Sequence, residues 1–204
     1  MPVTVRPARP SDEAAPLLYA SAAGVYDLMF GGPEPALRAL RRIYPSPGAA
    51  MSWEACLVAE LDGSLAGVLA GYPLEEGAAR ARRFFLRGAR LAPPTRWPAI
   101  LRLVHAGGEL TPPAPAGSWY VDALATAPAA QRRGVARALL AAAEAAGRRA
   151  GCRALALDTG LSNLAARRLY ESAGMSAGQP VRVGRRGQAL GVPEAGFIGY
   201  VKAL

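Results

Sequence analysis

The stretch from Leu124 to Ala136 (LATAPAAQRRGVA) joins the end of a predicted strand to the start of a predicted helix through a short loop. The helix begins at residues with little side chain, because Gly134 can adopt backbone angles that other residues resist and Ala136 lets a ligand approach closely. The first amides of a helix have no partner within it, and together with the helix dipole they can bind phosphate groups. The stretch has neither the Gly-Lys-Ser/Thr of a P-loop nor a three-glycine dinucleotide loop. It predicts an anion site of another kind, although glycine and alanine also occur at helix starts for structural reasons alone.

The elements around this stretch alternate between strands and helices. Their order, strand, helix, strand and helix, predicts an α/β fold with a crossover connection. The predicted elements are a strand over 119–126, a helix from about 131–134 to Arg149 with Gly151 after it, a strand over 152–158, a helix over 163–173 capped by Ser162 and ended by Gly174, and closing strands over 181–183 and 197–201.

The first half of the chain predicts strands and helices of a simpler kind. Asp62-Gly63 between two apolar stretches is a strong hairpin signal. The region 75–118 predicts two helices, and between Arg80 and Arg102 it holds seven arginines and no carboxylate, which indicates either a solvated face or an acidic ligand. The other predicted elements are a strand over 3–5, a helix that begins near Glu13 with Ser11 and Asp12 as caps and breaks at Gly31-Gly32, a helix over 33–43, and hairpin strands over 54–61 and 65–72.

Composition excludes several classes of protein. The 204 residues suit one domain, and 24 basic against 15 acidic residues give a net charge of +9, which favours anionic partners or reflects a bias toward arginine. No apolar stretch predicts a membrane span or a signal peptide, so we expect a cytoplasmic protein. Cys56, Cys152 and the single His105 are too few for a disulfide framework or a zinc site. No recognition motif supports nucleic-acid binding. The arginines are also scattered among apolar helices rather than interleaved with exposed aromatic residues.

Two motifs resemble those of the GNAT acyltransferase superfamily. Gln131 to Ala136 (QRRGVA) resembles the family's Gln/Arg-x-x-Gly-x-Gly/Ala and follows Leu-Ala-Thr-x-Pro, while residues 163–175 (NLAARRLYESAGM) look like its Asn, Ala, Leu-Tyr-Glu and Gly signature. The close resemblance covers about residues 119–175. It implies a mixed, mostly antiparallel central sheet with splayed fourth and fifth strands and helices on both faces. On this interpretation residues 1–204 form one GNAT domain with an Arg-rich helical insertion at about 75–118. The insertion departs from the family's usual pattern.

The resemblance also implies acetyl-CoA as cosubstrate. Asn163 would bind the pantetheine amides or only cap its helix, and Arg168 would neutralise phosphates or only face solvent. The pantetheine arm would pair with the open strand edge at Leu124, Ala125 and Thr126, where a backbone N–H would also hold the oxyanion. The pyrophosphate would lie against the loop and helix start formed by Gln131, Arg132, Arg133, Gly134, Val135, Ala136 and Arg137.

The resemblance further implies catalytic roles. Tyr170 matches the family's tyrosine acid, since a phenol can reprotonate a thiolate of comparable basicity. Asp122 is the leading candidate for the base: strand alternation places it on one face with Leu124 and Thr126, and burial would raise its pKa. The equally weighted alternative is that Asp122 is a structural carboxylate, whose hydrogen bonds come from neighbouring donors. Asp27, Glu54 and a chain of waters are weaker candidates for the base, and Asp158 is interpreted as the cap of a turn.

The predicted function is therefore an N-acetyltransferase that transfers the acetyl group of acetyl-CoA to a primary amine by direct attack in a ternary complex. A non-catalytic acyl-CoA sensor on the same fold is the alternative. The sequence does not identify the amine, and it leaves open a homodimer formed through the closing strands.

Overall fold

Seven strands form one sheet in this computed structural model, which describes residues 2–184, 187, 188, 192 and 194–204. The strands are β1 (Thr4–Pro7), β2 (Cys56–Leu61), β3 (Ser64–Pro73), β4 (Ser118–Thr126), β5 (Ala154–Gly160), β6 (Ser176–Arg182) and β7 (Gly196–Ala203). Their order across the sheet is β1-β2-β3-β4-β5-β7-β6. Every neighbouring pair is antiparallel except β4 and β5, which run parallel. The predicted mixed, mostly antiparallel sheet is confirmed.

Helices cover both faces of this sheet, as the sequence predicts. They are α1 (Ala15–Ser21), α2 (Ala23–Phe30), α3 (Pro33–Ile43), α4 (Gly77–Leu91), α5 (Trp97–Leu110), α6 (Val135–Arg149) and α7 (Leu164–Ser172). On one face Leu18, Leu40 and Val68 belong to one apolar core, and on the other Leu139 of α6 and Leu69 belong to a second. Among the described helices, none is long and apolar enough to cross a membrane.

The hairpin and two helix boundaries agree closely with the sequence. Asp62 (φ 54°) and Gly63 (φ 76°) both adopt left-handed angles, which is the two-residue turn that matches the twist of β2 and β3. The helix α3 spans the predicted residues 33–43, and Gly151 (φ 74°) follows α6 at the expected left-handed position. Local turn and cap chemistry therefore decides these elements.

The start of the first helical region differs from the prediction. Two helices, α1 and α2, replace the single predicted helix, and Ala22 separates them (φ −151°). Asp12 caps neither of them, since it accepts hydrogen bonds from the Arg6 guanidinium (2.8 and 2.9 Å) and from the Arg9 amide (2.7 Å). The bond from Arg6 also holds the pKa of Asp12 below its ordinary value. An ion pair with the preceding strand β1 therefore uses the side chain that the sequence assigns to the cap.

Part of the arginine excess has acceptors inside the molecule. Arg80 of α4 pairs with Glu54 (3.1 Å) and Glu76 (2.8 Å). Arg87 donates to the carbonyls of Ser46 (3.0 Å) and Pro47 (2.8 Å). Arg80 and Arg87 thus join α4 to the segment that precedes β2, and part of the positive charge of α4 is paired within the protein.

Candidate active site

A cleft opens where β4 and β5 separate. The two strands pair only from Ser118↔Ala154 to Val121↔Leu157. Beyond that point β4 stays paired with β3 as far as Thr126, while β5 stays paired with β7 as far as Gly160. The β5-facing edge of β4 is therefore open from residue 122 onward, and a cleft of about 860 Å³ lies between the strands. The predicted splay of the fourth and fifth strands is confirmed.

Almost all of the site residues that the sequence predicts line this cleft. Arg133 is the exception: its guanidinium lies outside the cleft and pairs with Asp62 of the hairpin turn (2.9 Å). Arg168, the further candidate for phosphate neutralisation, is an exposed residue outside the cleft. The nominated residues that line the cleft are Asp122, Leu124, Ala125, Thr126, Gln131, Arg132, Gly134, Val135, Ala136, Arg137, Asn163 and Tyr170.

The start of α6 has the geometry of an anion site. Arg132 (φ 61°) and Gly134 (φ 84°) both adopt left-handed angles, which turns the loop tightly before the helix. The helical hydrogen bonds begin with Ala138 N–H to Gly134 C=O (3.0 Å), so the amides of the first turn have no acceptor within the helix. A Cβ built on Gly134 would meet no atom within 4 Å. The space beside these amides is open and would accept a pyrophosphate.

Asn163 lies across the cleft from α6, at the start of α7. Its side-chain oxygen accepts a hydrogen bond from the Ala166 amide (3.2 Å), so Asn163 caps α7. The prediction that Ser162 is the cap is wrong, because its hydroxyl donates to Glu194 (2.8 Å). Asn163 also lines the cleft, and capping and ligand contact remain compatible for this residue.

Asp122 occupies a β-bulge at the narrow end of the cleft. Ala70 pairs with Ala123 and Gly71 with Val121, which leaves Asp122 without a partner on β3. The bulge ends the simple alternation of β4, so the predicted common face of Asp122 and Leu124 is wrong. Leu124 packs with the α6 core, whereas Asp122 accepts a hydrogen bond (2.7 Å) from Tyr72 of the opposite core. Asp122 is exposed to the open cleft, yet the protein atoms around it partly desolvate the carboxylate and raise its pKa, and the bond from Tyr72 opposes that rise.

Asp158 is a second carboxylate in the cleft that the sequence interpretation misplaced. It lies within β5 rather than in a turn, lines the cleft, and accepts a hydrogen bond from the Tyr120 hydroxyl. Burial, together with the charge of Asp122, raises the pKa of Asp158 to about 6 against the opposing bond from Tyr120. An acidic residue at the end of an apolar strand is the signal that could have found it.

The weaker candidates for the base lie elsewhere. Asp27 accepts a hydrogen bond from the Tyr19 hydroxyl (3.0 Å), and Glu54 accepts from the Gly48 amide (2.7 Å) and from Arg80. Both carboxylates lie outside the cleft. The structure therefore leaves Asp122 and Asp158 as the acidic groups at its narrow end.

Tyr170 projects from α7 into the cleft. The residue is buried, and its ring lies 5.4 Å from that of Tyr200. In the described part of the chain its hydroxyl has no hydrogen-bond partner, so it can serve a ligand in the cleft. Burial, with a contribution from the charge of Asp158, raises the pKa of Tyr170. The phenol is therefore protonated at neutral pH and can donate.

The chain belongs to the GNAT family of acetyltransferases, because the family model described as Acetyltransferase (GNAT) family matches residues 29–175. Acetyl-CoA is the cosubstrate of this family. The open edge of β4 and the amides at the start of α6 fit its amide-bearing arm and its pyrophosphate. No curated protein sequence matches the chain significantly.

Solved structures share the fold over the whole chain. One is an N-acetyltransferase from Staphylococcus aureus Mu50, with a TM-score of 0.69, 20% identity, and 98% of this chain and 100% of that one covered. Another is a polyamine N-acetyltransferase from Drosophila melanogaster, with a TM-score of 0.61, 18% identity and full coverage of both chains (100% each). An agmatine N-acetyltransferase has a TM-score of 0.62, 18% identity and 99% coverage of each chain. At these identities the likeness concerns the fold.

Proposed function

We propose that the protein is an N-acetyltransferase that transfers the acetyl group of acetyl-CoA to a primary amine within a ternary complex. One observation carries the proposal: a single cleft is lined by free helix amides at one end, an open strand edge along its length, and two carboxylates and a tyrosine at the other. This arrangement can hold an acyl-CoA and activate an amine in the same space.

The cosubstrate would be held mainly by backbone groups. The amides of Val135, Ala136 and Arg137 would donate to the pyrophosphate, and Arg132 and Arg137, which line the cleft, would add positive charge. The open edge of β4 would pair with the amides of the pantetheine arm in the manner of an added strand. When bound there, the cosubstrate supplies an activated acetyl thioester close to the narrow end of the cleft.

The narrow end of the cleft supplies the proton transfers that the reaction needs. An amine is an ammonium ion at neutral pH, so a base must remove a proton before nitrogen can attack. Asp122 or Asp158, which line the cleft, would act as this base, and the Tyr170 hydroxyl would give a proton to the departing sulfur. A backbone N–H near Leu124 would stabilise the oxyanion.

Two structures with this fold carry the names of agmatine and polyamine N-acetyltransferases. They are compatible with an amine acceptor, but the proposal for this chain rests on its own carboxylates. A cleft that ends in two acidic side chains attracts a cation, as an amine acceptor is before it reacts.

A panel of amines tests the proposal. The protein is incubated with acetyl-CoA and each of a set of primary amines, including diamines, amino acids and lysine peptides, while free CoA is measured and products are identified by mass spectrometry. Amine-dependent CoA release with an acetylated amine is expected. Tight acetyl-CoA binding without release for any amine would favour the sensor instead.

A further inference from the structure

We propose that Asp158 is the general base and that Asp122 holds the acceptor's ammonium group beside it, so that the acceptor enters this site as a cation. The proposal rests on the proposed function and deepens it. It assigns a catalytic role to Asp158 and reassigns Asp122 from base to ammonium-binding residue.

The two carboxylates occupy equivalent places at the apex of the cleft. The last pair that joins β4 to β5 is Val121↔Leu157, and Asp122 and Asp158 are the next residue on each strand. Each carboxylate accepts a hydrogen bond from one tyrosine, Asp122 from Tyr72 and Asp158 from Tyr120. The strand separation thus creates two acidic groups, side by side, each fixed by a phenol and each lining the open cleft.

The charges around the pair favour a cation between them. The groups around Asp158 are Tyr120 and Asp122 on β4 and Tyr170 on α7, and those around Asp122 include Tyr72 on β3 and Tyr26 on α2. The guanidinium of Arg80 lies over the ring of Tyr72 (5.4 Å), and Glu194, a further carboxylate of the cleft, accepts a hydrogen bond from Ser162. In the part of the chain that the structure describes, the arginines that line the cleft belong to the loop before α6 and its first turn. An ammonium ion at the apex would offset the negative charge of the two carboxylates, each of which has a phenol as its hydrogen-bond donor.

The surroundings of the two carboxylates divide their roles. Asp158 lies on β5, the strand that leads through residues 161–163 into α7, and α7 carries Tyr170, the proposed acid; both residues line the cleft, and the charge of Asp158 contributes to raising the pKa of Tyr170. Asp122 lies on β4, where the bulge leaves it without a partner on β3 and its carboxylate accepts the hydrogen bond from Tyr72. We therefore assign the proton transfer to Asp158, which shares the β5–α7 side of the cleft with Tyr170, and the binding of the ammonium group to Asp122 on the β4 side.

The transfer balances in the following way. Asp158 takes one proton from the ammonium group, and the freed nitrogen forms a bond to the thioester carbonyl carbon. The carbon–sulfur bond then breaks, its electron pair leaves with sulfur, and sulfur takes the proton of the Tyr170 hydroxyl. The acetylated nitrogen loses its excess proton, which restores the phenol, and Asp158 releases its proton to water. One proton is released for each amide formed.

The pH dependence of kcat/KM distinguishes the two carboxylates, because it reports the ionisation of the free enzyme's base. The base acts ionised, so kcat/KM of the unaltered protein should rise with pH through about 6, the pKa to which burial and the charge of Asp122 raise Asp158. Asp158→Asn should lower kcat by about 10²–10⁴-fold, the usual contribution of a general base, and remove this rise.

Two neighbouring variants should move the rise in opposite directions if Asp158 is the base. Asp122→Asn removes the charge that raises the pKa of Asp158, so the rise should shift to lower pH while KM for the amine increases. Tyr120→Phe removes the hydrogen bond that lowers the pKa of Asp158, so the rise should shift to higher pH. Asp27→Asn, which alters another carboxylate–tyrosine pair outside the cleft, should leave the profile unchanged.

A rise of kcat/KM with pH that survives in Asp158→Asn would overturn the assignment. If the same rise disappears in Asp122→Asn, Asp122 is the base instead. A carbon-13 NMR titration of the aspartate carboxyls of the free protein tests it without turnover. We expect a carboxyl that titrates near pH 6 in the unaltered protein and is lost in Asp158→Asn. Its titration should move to lower pH in Asp122→Asn and to higher pH in Tyr120→Phe. Its absence would contradict the proposal even if amines are acetylated, whereas its presence without turnover on any amine would contradict the proposed function.

Discussion

Replacing Gly134 by aspartate at the start of α6 should weaken acetyl-CoA binding more than it destabilises the fold. Gly134 has a φ of 84°, and a side chain there would point into open space, since a Cβ would meet no atom within 4 Å. An L-residue in this left-handed conformation costs roughly 1–2 kcal/mol. An acidic group near a helix N-terminus returns about 0.3–1 kcal/mol. The net loss of unfolding free energy for Gly134→Asp should therefore be about 1 kcal/mol, and the fold should persist.

The effect of the same substitution on acetyl-CoA should be larger. The new carboxylate would compete for the amides that bind the pyrophosphate and would repel its charge. A hydrogen bond to a charged group is worth about 1.5–3 kcal/mol, so the loss of one weakens binding by about 10- to 150-fold. Isothermal titration calorimetry with acetyl-CoA gives the affinity, and urea unfolding gives the stability.

Two alanine variants complete the test. Gly134→Ala carries the strain without the charge, so it should be less stable than Gly134→Asp yet bind acetyl-CoA more tightly. Gly151→Ala carries the same strain at the other end of α6 (φ 74°, no atom within 4 Å) and should leave the affinity unchanged. Unaltered affinity in Gly134→Asp would refute the assignment of the pyrophosphate to this helix start.

Other consequences concern the acid and the core. Tyr170→Phe removes the proton donor while keeping the buried ring, so kcat should fall by about 10²-fold or more with little change in the Kd of acetyl-CoA; an unchanged kcat would exclude the role. Leu139→Ala leaves a cavity between α6 and the sheet, because Leu139 is fully buried (0% exposed), and should cost about 2–5 kcal/mol in urea unfolding. A cost below about 1 kcal/mol would contradict this packing.

The elements that the sequence predicts well are those decided by neighbouring residues. The hairpin at Asp62-Gly63, the helix over 33–43 and the glycine after α6 each depend on turn or cap chemistry within a few positions. The start of α6 belongs to the same group, and its predicted anion site is open in the structure. Here local signals were sufficient because the backbone angles within the turn or cap decide these elements.

The parts that the sequence predicts poorly depend on residues far along the chain. The bulge at Asp122 arises from the register between β3 and β4, which alternation within one strand does not reveal. Asp12 and Ser162 lose their predicted capping roles to Arg6 and Glu194. Asp158 joins the site because β5 extends along β7 as far as Gly160. In each case a contact with another element overrides a local preference, although for Asp12 that element, β1, is only six residues away.

A crystal structure of the protein with CoA tests the central claim most directly. The claim is that acyl-CoA lies between β4 and β5 with its sulfur directed to the apex where these strands separate. The pyrophosphate should lie within hydrogen-bonding distance of the amides that begin α6, and the sulfur should lie beside the Tyr170 hydroxyl. A molecule bound outside this cleft, or with its sulfur directed away from Tyr170 and Asp158, would contradict the account.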